Sequence, residues 1–194
     1  MTVFLTADHH FGHSGIIGNA GRPFADVDEM DEVLIRNWNE RIRPDSVVYY
    51  LGDFAHRCPP QRLRSIWERL TRPKAIHLVP GNHDDAATLA LPWTSVERGI
   101  LRMSANNRRF SLFHYALRTW PGIRRDAIHA YGHSHNRMPG FRNTLDVGVD
   151  AWGFVPASVE EVIRRAELLP EFDFGETDDE AEDDAPGAPG VRAP

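Results

Sequence analysis

Cysteine and lysine are nearly absent from this 194-residue chain, and long apolar runs are absent altogether. The single cysteine, Cys58, excludes an intramolecular disulfide framework and a cysteine-rich zinc module. No stretch approaches the roughly eighteen consecutive apolar residues of a membrane-spanning helix. Nor is there a basic n-region followed by an apolar h-region, because Met1-Thr2-Val3-Phe4-Leu5-Thr6 runs through Ala7 straight into Asp8-His9-His10. No secretory signal is therefore expected, and the expected compartment is the cytoplasm. Lysine occurs once, as Lys74, so 21 of the 22 basic residues are arginine. Arginine is the better bidentate phosphate ligand, but genomic base composition also produces such a bias, so it carries little weight by itself.

The formal charge of −6 is unevenly placed. From Glu171 onward there are nine acidic residues and one basic residue, Arg192, which leaves residues 1–170 with 19 acids against 21 bases, about +2. The acidity belongs to a tail, and the body is mildly basic. With 41% apolar and 26% charged residues, the body has the composition and length of one globular domain, expected over 1–170. The segment 171–194, rich in Glu, Asp, Ala, Pro and Gly, is expected to be an acidic, disordered tail.

Hydrophobic periodicity predicts strands over 2–6, 46–51 and 75–79, alternating with helices over 26–42 and 60–70. The longer helix spaces Met30, Val33, Leu34, Trp38 and Ile42 along one face, with acids in its first turn. This alternation argues for parallel α/β structure with right-handed crossovers. The second half is richer in strands, expected over 99–103, 109–113, 127–131 and 144–149. A last helix starts at Ser158, where Ser158-Val159-Glu160-Glu161 has capping-box spacing.

The positions of the ten histidines matter more than their number. His10, His83, His114, His133 and His135 each fall just past an expected strand, as do Asp8 and Asp53. Ligands of open α/β sheets bind beyond the carboxyl ends of the strands, so these side chains are expected on one rim. Asp8 and His10, and likewise His133 and His135, are two residues apart and in extended chain would point the same way. Gly52 before Asp53 and Gly81 before Asn82-His83-Asp84 permit sharp corners with close backbone approach. Alone, each pattern has a plain explanation: D-x-H and H-x-H arise by chance, Asn-His-Asp suits an ordinary turn, and His114 between Phe113 and Tyr115 suits a core. The ordered set, each member after a strand, is what those explanations do not cover.

The set resembles the pattern of the calcineurin-like metallophosphoesterase family. D-x-H is present as Asp8-His9-His10, G-D as Gly52-Asp53, and G-N-H-[DE] as Gly81-Asn82-His83-Asp84. A single histidine follows as His114, then G-H-x-H as Gly132-His133-Ser134-His135. The resemblance covers 3–150. The flanking Thr6-Ala7-Asp8-His9-His10-Phe11-Gly12-His13 and Arg22-Pro23-Phe24 are similar to a small bacterial and phage branch of that family. It implies an α/β fold, an α-β-β-α sandwich of two central mixed sheets flanked by helices. It also implies two divalent transition-metal ions, one held by Asp8, His10, Asp53 and His135 and the other by Asp53, Asn82, His114 and His133, with Asp53 bridging. Mixed imidazole and oxygen donors suit manganese, placed first, or iron, zinc or nickel.

The activity so implied is hydrolysis of phosphomonoester or phosphodiester bonds by a hydroxide bridging the two metals. His83 would assist the leaving oxygen, and Asp84 would orient its imidazole. His9, His13, Arg22 and His56 are candidate substrate contacts. Asp146 and Asp150 could support the His133/His135 motif or be plain strand-edge residues. His77, His129, Trp120 and Trp152 read as structural. A body of about 170 residues leaves no room for a cap domain, so a small phosphate ester is the expected substrate. Arg124-Arg125 and Arg108-Arg109 are short pairs, so nucleic acid is permitted but not demanded. The competing readings are a nuclease acting on nucleic-acid ends and a non-catalytic scaffold on the same fold. Protein partners are left open, and no membrane partner is expected.

Overall fold

The computed structural model describes residues 1–171. The expectation of a disordered tail concerns residues that lie, but for Glu171, outside that range. Nine strands form two mixed sheets among the described residues. The first sheet contains β1 (Val3–Thr6), β2 (Val47–Tyr50), β3 (Ala75–Leu78), β4 (Ser95–Val96) and β9 (Ala157–Ser158) in the order β4-β3-β2-β1-β9. Its first four strands are parallel, and β9 joins antiparallel to β1. The second contains β5 (Leu101–Ala105), β6 (Arg108–Leu112), β7 (Ile128–Tyr131) and β8 (Thr144–Asp146) in that order. Here β5 and β6 form a hairpin, and β6, β7 and β8 run parallel.

The helices follow from local chemistry. After the short α1 (Gly15–Ala20), α2 (Val27–Arg41) starts at Asp26, whose carboxylate accepts from the N–H groups of Asp28 and Glu29. Its Met30, Leu34, Ile35 and Trp38 are buried. Helix α3 (Pro60–Arg69) begins with a proline in its first turn and buries Leu63, Ile66 and Trp67. These faces join Phe4, Val48, Tyr50, Ile76 and Leu78 in one cluster on the outer side of the first sheet. After the four-residue α4 (Ala86–Leu89), α5 (Val159–Leu168) carries the complete capping box of Ser158 and Glu161. Its Val159, Val162 and Ala166 enter the second cluster, where Leu5, Leu51 and Val79 of the first sheet and its exits meet Phe110, Leu112, Ile128 and Ala130 of the second. Each fully buried side chain of this size contributes about 1.5–3 kcal/mol. No helix among the described residues is long and apolar enough to cross a membrane.

Two expected strands differ. The strand expected over 99–103 starts at Leu101 and turns back through Asn106 and Asn107, both with positive φ, a tight hairpin that the apolar pattern alone does not reveal. The strand expected over 144–149 ends at Asp146, and Val149–Ala151 forms a 3-10 turn. The reason is a switch of partner: Gly148 bridges Ala7, and the Val149 N–H donates to the Ala7 carbonyl at 3.1 Å. The exits of the two sheets are thereby joined beside Asp8.

On the outer face of the second sheet, the segment between β6 and β7 is tied down by His129. Its Nδ1–H donates to the Ser111 carbonyl at 2.9 Å, and its Nε2 accepts the Leu117 N–H at 3.0 Å. Burial lowers its pKa, and hydrogen bonds to backbone of Ser111 and Tyr115 offset this only in part. The unfolded chain therefore binds the proton more readily, and stability contributed by neutral His129 is lost as pH falls below about 6.5. In urea unfolding between about pH 7.5 and 5.5, His129→Gln should show a shallower loss of stability than the native chain, by up to one proton or about 1.4 kcal/mol per pH unit. Equal slopes would remove His129 as a source of acid sensitivity.

Candidate metal centre

Strands β1 and β2 end side by side, and their exits remain paired. The N–H groups of Asp8, His10 and Phe11 donate to the carbonyls of Gly52, Asp53 and Phe54 at 3.0, 3.0 and 2.9 Å. The backbone is left-handed at Asp8 (φ 60°), His10 (54°), Asp53 (56°), His133 (65°) and His135 (47°). This corrects the expectation of extended D-x-H and H-x-H segments: β1 stops at Thr6 and β7 at Tyr131, and left-handed turns aim the side chains. His133 and His135 accordingly go to different places.

Asp8, His10 and His135 offer ligand atoms all within 4.8 Å of one another, and so do Asp53, His114 and His133. Asp53 lies between the groups, its Oδ2 3.4 Å from His10 Nε2 and 3.6 Å from His114 Nε2. Asn82 Oδ1 is 3.0 Å from His114 Nε2. Each group draws on both sheets. Close backbone approach makes this possible, since a Cβ on Gly81 would sit 2.2 Å from Asp53 Oδ1, and one on Gly52 (φ 89°) 2.4 Å from the Gly81 nitrogen.

The donor set fits cations. Asp8 Oδ1 and His10 Nε2 are buried without a hydrogen-bond partner, a costly state for polar atoms. Burial raises the Asp8 carboxyl well above its usual range, reinforced by the charges of Asp146 and Asp53. Burial also strongly disfavours a proton on His10, helped by nearby His135 and Arg22. A site that resists both negative charge and imidazolium is relieved by a bound metal ion, for which neutral imidazole and carboxylate are the proper ligand forms.

Supporting groups fix these ligands. His114 donates its Nδ1–H to the Leu51 carbonyl at 2.7 Å, and His135 donates its own to Asp150 Oδ2 at 2.7 Å, so Nε2 is the lone-pair atom of each neutral ring. Asp150 also receives two hydrogen bonds from Arg22, each 2.8 Å. Burial pushes the Asp150 carboxyl up, but the bonds from His135 and Arg22 outweigh it and hold it below the usual range. Asp146 accepts from the Ser134 hydroxyl and the N–H groups of Asn136 and Gly148, bracing the 132–136 turn. Asp8 Oδ2 accepts the His133 N–H at 2.8 Å.

His83, His56 and His13 cluster beside the donor groups. The His83 ring lies 5.3 Å from His10 and 4.1 Å from His56, and His56 lies 4.6 Å from His13. The His83 N–H donates to Asp53 Oδ1 at 2.9 Å. Burial lowers the His13 pKa to about 4, with His56 and His83 adding to the effect. Three expectations need correction. Arg22 is buried and also donates to the carbonyls of Asp8 and His9, so it sits behind the centre with its side chain closed to solvent. His9 is fully buried, hydrogen-bonded to the Tyr50 hydroxyl and stacked on Phe11. Asp84 spends its carboxylate on the N–H groups of Asp53, Phe54 and Gly81, where it clamps the two loops and does not orient the His83 ring. Sequence reasoning also passed over Tyr115, exposed at the rim with its ring 4.7 Å from His133. Its place directly after His114 was the available signal.

The chain is similar to proteins from archaea and phages. It is 27% identical over 173 residues to an uncharacterized protein of Methanocaldococcus jannaschii, covering 85% of this chain and 91% of that protein. It is 28% identical over 181 residues to the gene 66 protein of Mycobacterium phage D29, covering 77% and 88%. Among solved structures, a protein of unknown function from Aquifex aeolicus superposes with a TM-score of 0.66 over 84% of this chain and 98% of that one. At 21% identity that likeness is one of fold. Residues 1–148 match the family model for calcineurin-like phosphoesterases. With two mixed sheets, flanking helices and paired donor groups at their junction, the chain belongs to the calcineurin-like phosphoesterase family.

Proposed function

We propose that the domain over 1–170 is a metal-dependent phosphoesterase that hydrolyses phosphomonoester or phosphodiester bonds of a small substrate in the cytoplasm. The reading rests above all on the pair of donor groups either side of Asp53, with Asp8 Oδ1 and His10 Nε2 buried and without hydrogen-bond partners. Asp8, His10, Asp53 and His135 would hold one divalent cation, and Asp53, Asn82, His114 and His133 a second, manganese first. When bound, the two cations supply Lewis acidity to phosphoryl oxygens and lower the pKa of a water.

The protein's own groups do the rest. Asp8 and Asp53 contribute −2, so a doubly loaded centre keeps about +2 and attracts an anionic ester. His83 stands at the edge of the centre with its backbone held by Asp53, and its imidazole delivers a proton to the departing oxygen. His56 and His13 stand beyond it, and their N–H groups would contact the phosphate ester. Asp84 keeps the Asp53 and His83 loops in register, and Asp150 keeps the His135 Nε2 facing inward.

The test is turnover of p-nitrophenyl phosphate and bis-p-nitrophenyl phosphate with manganese, iron, zinc or nickel supplied in turn. Hydrolysis of at least one ester is expected; cleavage of oligonucleotide ends without turnover of either ester would move the assignment to a nuclease. His83→Ala should bind metal as the native chain does and lose about 10²–10⁴-fold in kcat, so an unchanged kcat removes it from the chemistry. Asp150→Ala should weaken metal binding about 10–100-fold in a titration followed by calorimetry. Native affinity in that variant would mean that His135 needs no support.

A further inference from the structure

Of the phenylalanines, tryptophans and tyrosines among the described residues, Tyr115 alone is exposed, at 40%. A lone exposed ring needs no explanation by itself; the place of this one does. Strand β6 ends at Leu112, but the chain beyond it stays paired with the exit of β7. The Phe113 N–H donates to the Ala130 carbonyl at 3.2 Å, and the Gly132 N–H donates to the His114 carbonyl at 2.9 Å. His114 turns inward and is fully buried, and Tyr115 after it turns outward. The same pairing brings His133, the residue after Gly132, beside the tyrosine. The Tyr115 ring lies 4.7 Å from His133 and 4.9 Å from His114, inclined at 62° and 75° to them.

Tyr115 and His83 attach to different donor groups. The ring neighbours of His83 are His10, His56 and His13, and His10 belongs with Asp8 and His135. Those of Tyr115 are Phe113, His114 and His133, and the two histidines belong with Asp53. Asp53 Oδ2 joins the groups, within 3.6 Å of an imidazole nitrogen from each. A phosphoryl group held beside Asp53 therefore has a proton donor at one group and a flat, exposed ring at the other.

On the phosphoesterase reading above, on which this inference rests, the departing oxygen is the one at His83. A monoester has a single organic group, which leaves there, and nothing remains for the tyrosine. A diester keeps a second group on phosphorus, and the ring stands ready for it. Aromatic side chains stack on planar groups with little regard to their identity, since every base has a π-face. Packed against two ligand histidines, Tyr115 also has less side-chain freedom to lose on binding.

We propose that Tyr115 selects phosphodiesters whose retained group is aromatic, a nucleoside or an aryl group, by stacking on that group beside His133. In the hydrolysis the water oxygen joins phosphorus and the bond to the departing oxygen breaks. That oxygen keeps the electron pair and takes a proton from His83, which a proton of the water replaces. The products are an alcohol and a monoester still resting on Tyr115.

Bis-p-nitrophenyl phosphate and methyl p-nitrophenyl phosphate share a leaving group and differ in the retained one. Their intrinsic difference in reactivity cancels when the native chain is compared with Tyr115→Leu, which keeps bulk and removes the ring. The preference for the bis ester, as a ratio of kcat/KM, should fall about tenfold in Tyr115→Leu, chiefly through KM, and Tyr115→Phe should retain it. Binding supplies a readout without turnover. Benzylphosphonate, whose C–P bond resists hydrolysis, should bind the metal-loaded native chain about tenfold more tightly than methylphosphonate in calorimetry, and Tyr115→Leu should bind the two alike. An unchanged ratio in Tyr115→Leu, with both esters still hydrolysed, overturns the proposal and leaves the phosphoesterase reading standing. Faster native turnover of p-nitrophenyl phosphate than of either diester does the same. Loss of metal binding by Tyr115→Leu would make the ring a brace for His133 and overturn the proposal too. A native chain that hydrolyses no ester with any of the metals removes the phosphoesterase reading, and the proposal with it.

Discussion

Arg22 holds the backbone of the centre in place from behind. Two of its hydrogen bonds run to Asp150, and two run to the carbonyls of Asp8 and His9. Those carbonyls belong to a turn in which Asp8 and His10 are left-handed, a conformation costing about 1–3 kcal/mol at each non-glycine residue. Through Asp150 the same guanidinium reaches His135, on the opposite sheet. One buried cation therefore connects the strained turn of the first sheet to the imidazole of the second. A lysine could not replace it, since the arrangement uses a planar fork with donors in several directions.

The forward side of the centre has the opposite character. Its carboxylates are buried with few donors, and two of its polar atoms have no hydrogen-bond partner within the protein. Protein charges satisfy the supporting layer, and the ligand layer is left short of positive charge. This division separates a cation site from a mere buried ion-pair network. In the supporting layer Asp150 finds bonds that outweigh its burial; in the ligand layer Asp8 does not, and its carboxyl is held above its usual range.

Much of this was legible in the sequence, because strands and helices follow local periodicity and caps follow local chemistry. Asp26 and Ser158 start their helices as their spacing requires. Asp8, His10, Asp53, His114, His133 and His135 meet because each follows a strand whose end lies at one rim. The misread features depend on directions that a linear pattern does not encode. Left-handed turns at Asp8 and His10 turn the intervening His9 into the core, which is why it packs on Phe11 and Tyr50. Arg22 lies in a loop, where exposure is the ordinary expectation; only its distant partner Asp150 draws it inward. Asp84 sits beside His83 in sequence, yet backbone amides of the neighbouring loop are better donors for it. The switch of the chain from β8 to a bridge with Ala7 likewise rests on a contact between segments about 140 residues apart.

That each donor group draws on both sheets has a consequence for the order in which the molecule comes into being. Synthesis runs from residue 1, so a nascent chain released as far as β4 holds Asp8, His10, Asp53 and Asn82 but none of the histidines of the second sheet. Its half-centre has two carboxylates and a single ligating imidazole. The second donor group is incomplete until His133 has been made and the first until His135, and the strand that edges β1 is made later still. A cation that needs every donor of either group therefore finds them only after both sheets have been made, so loading would report that both halves of the fold are present.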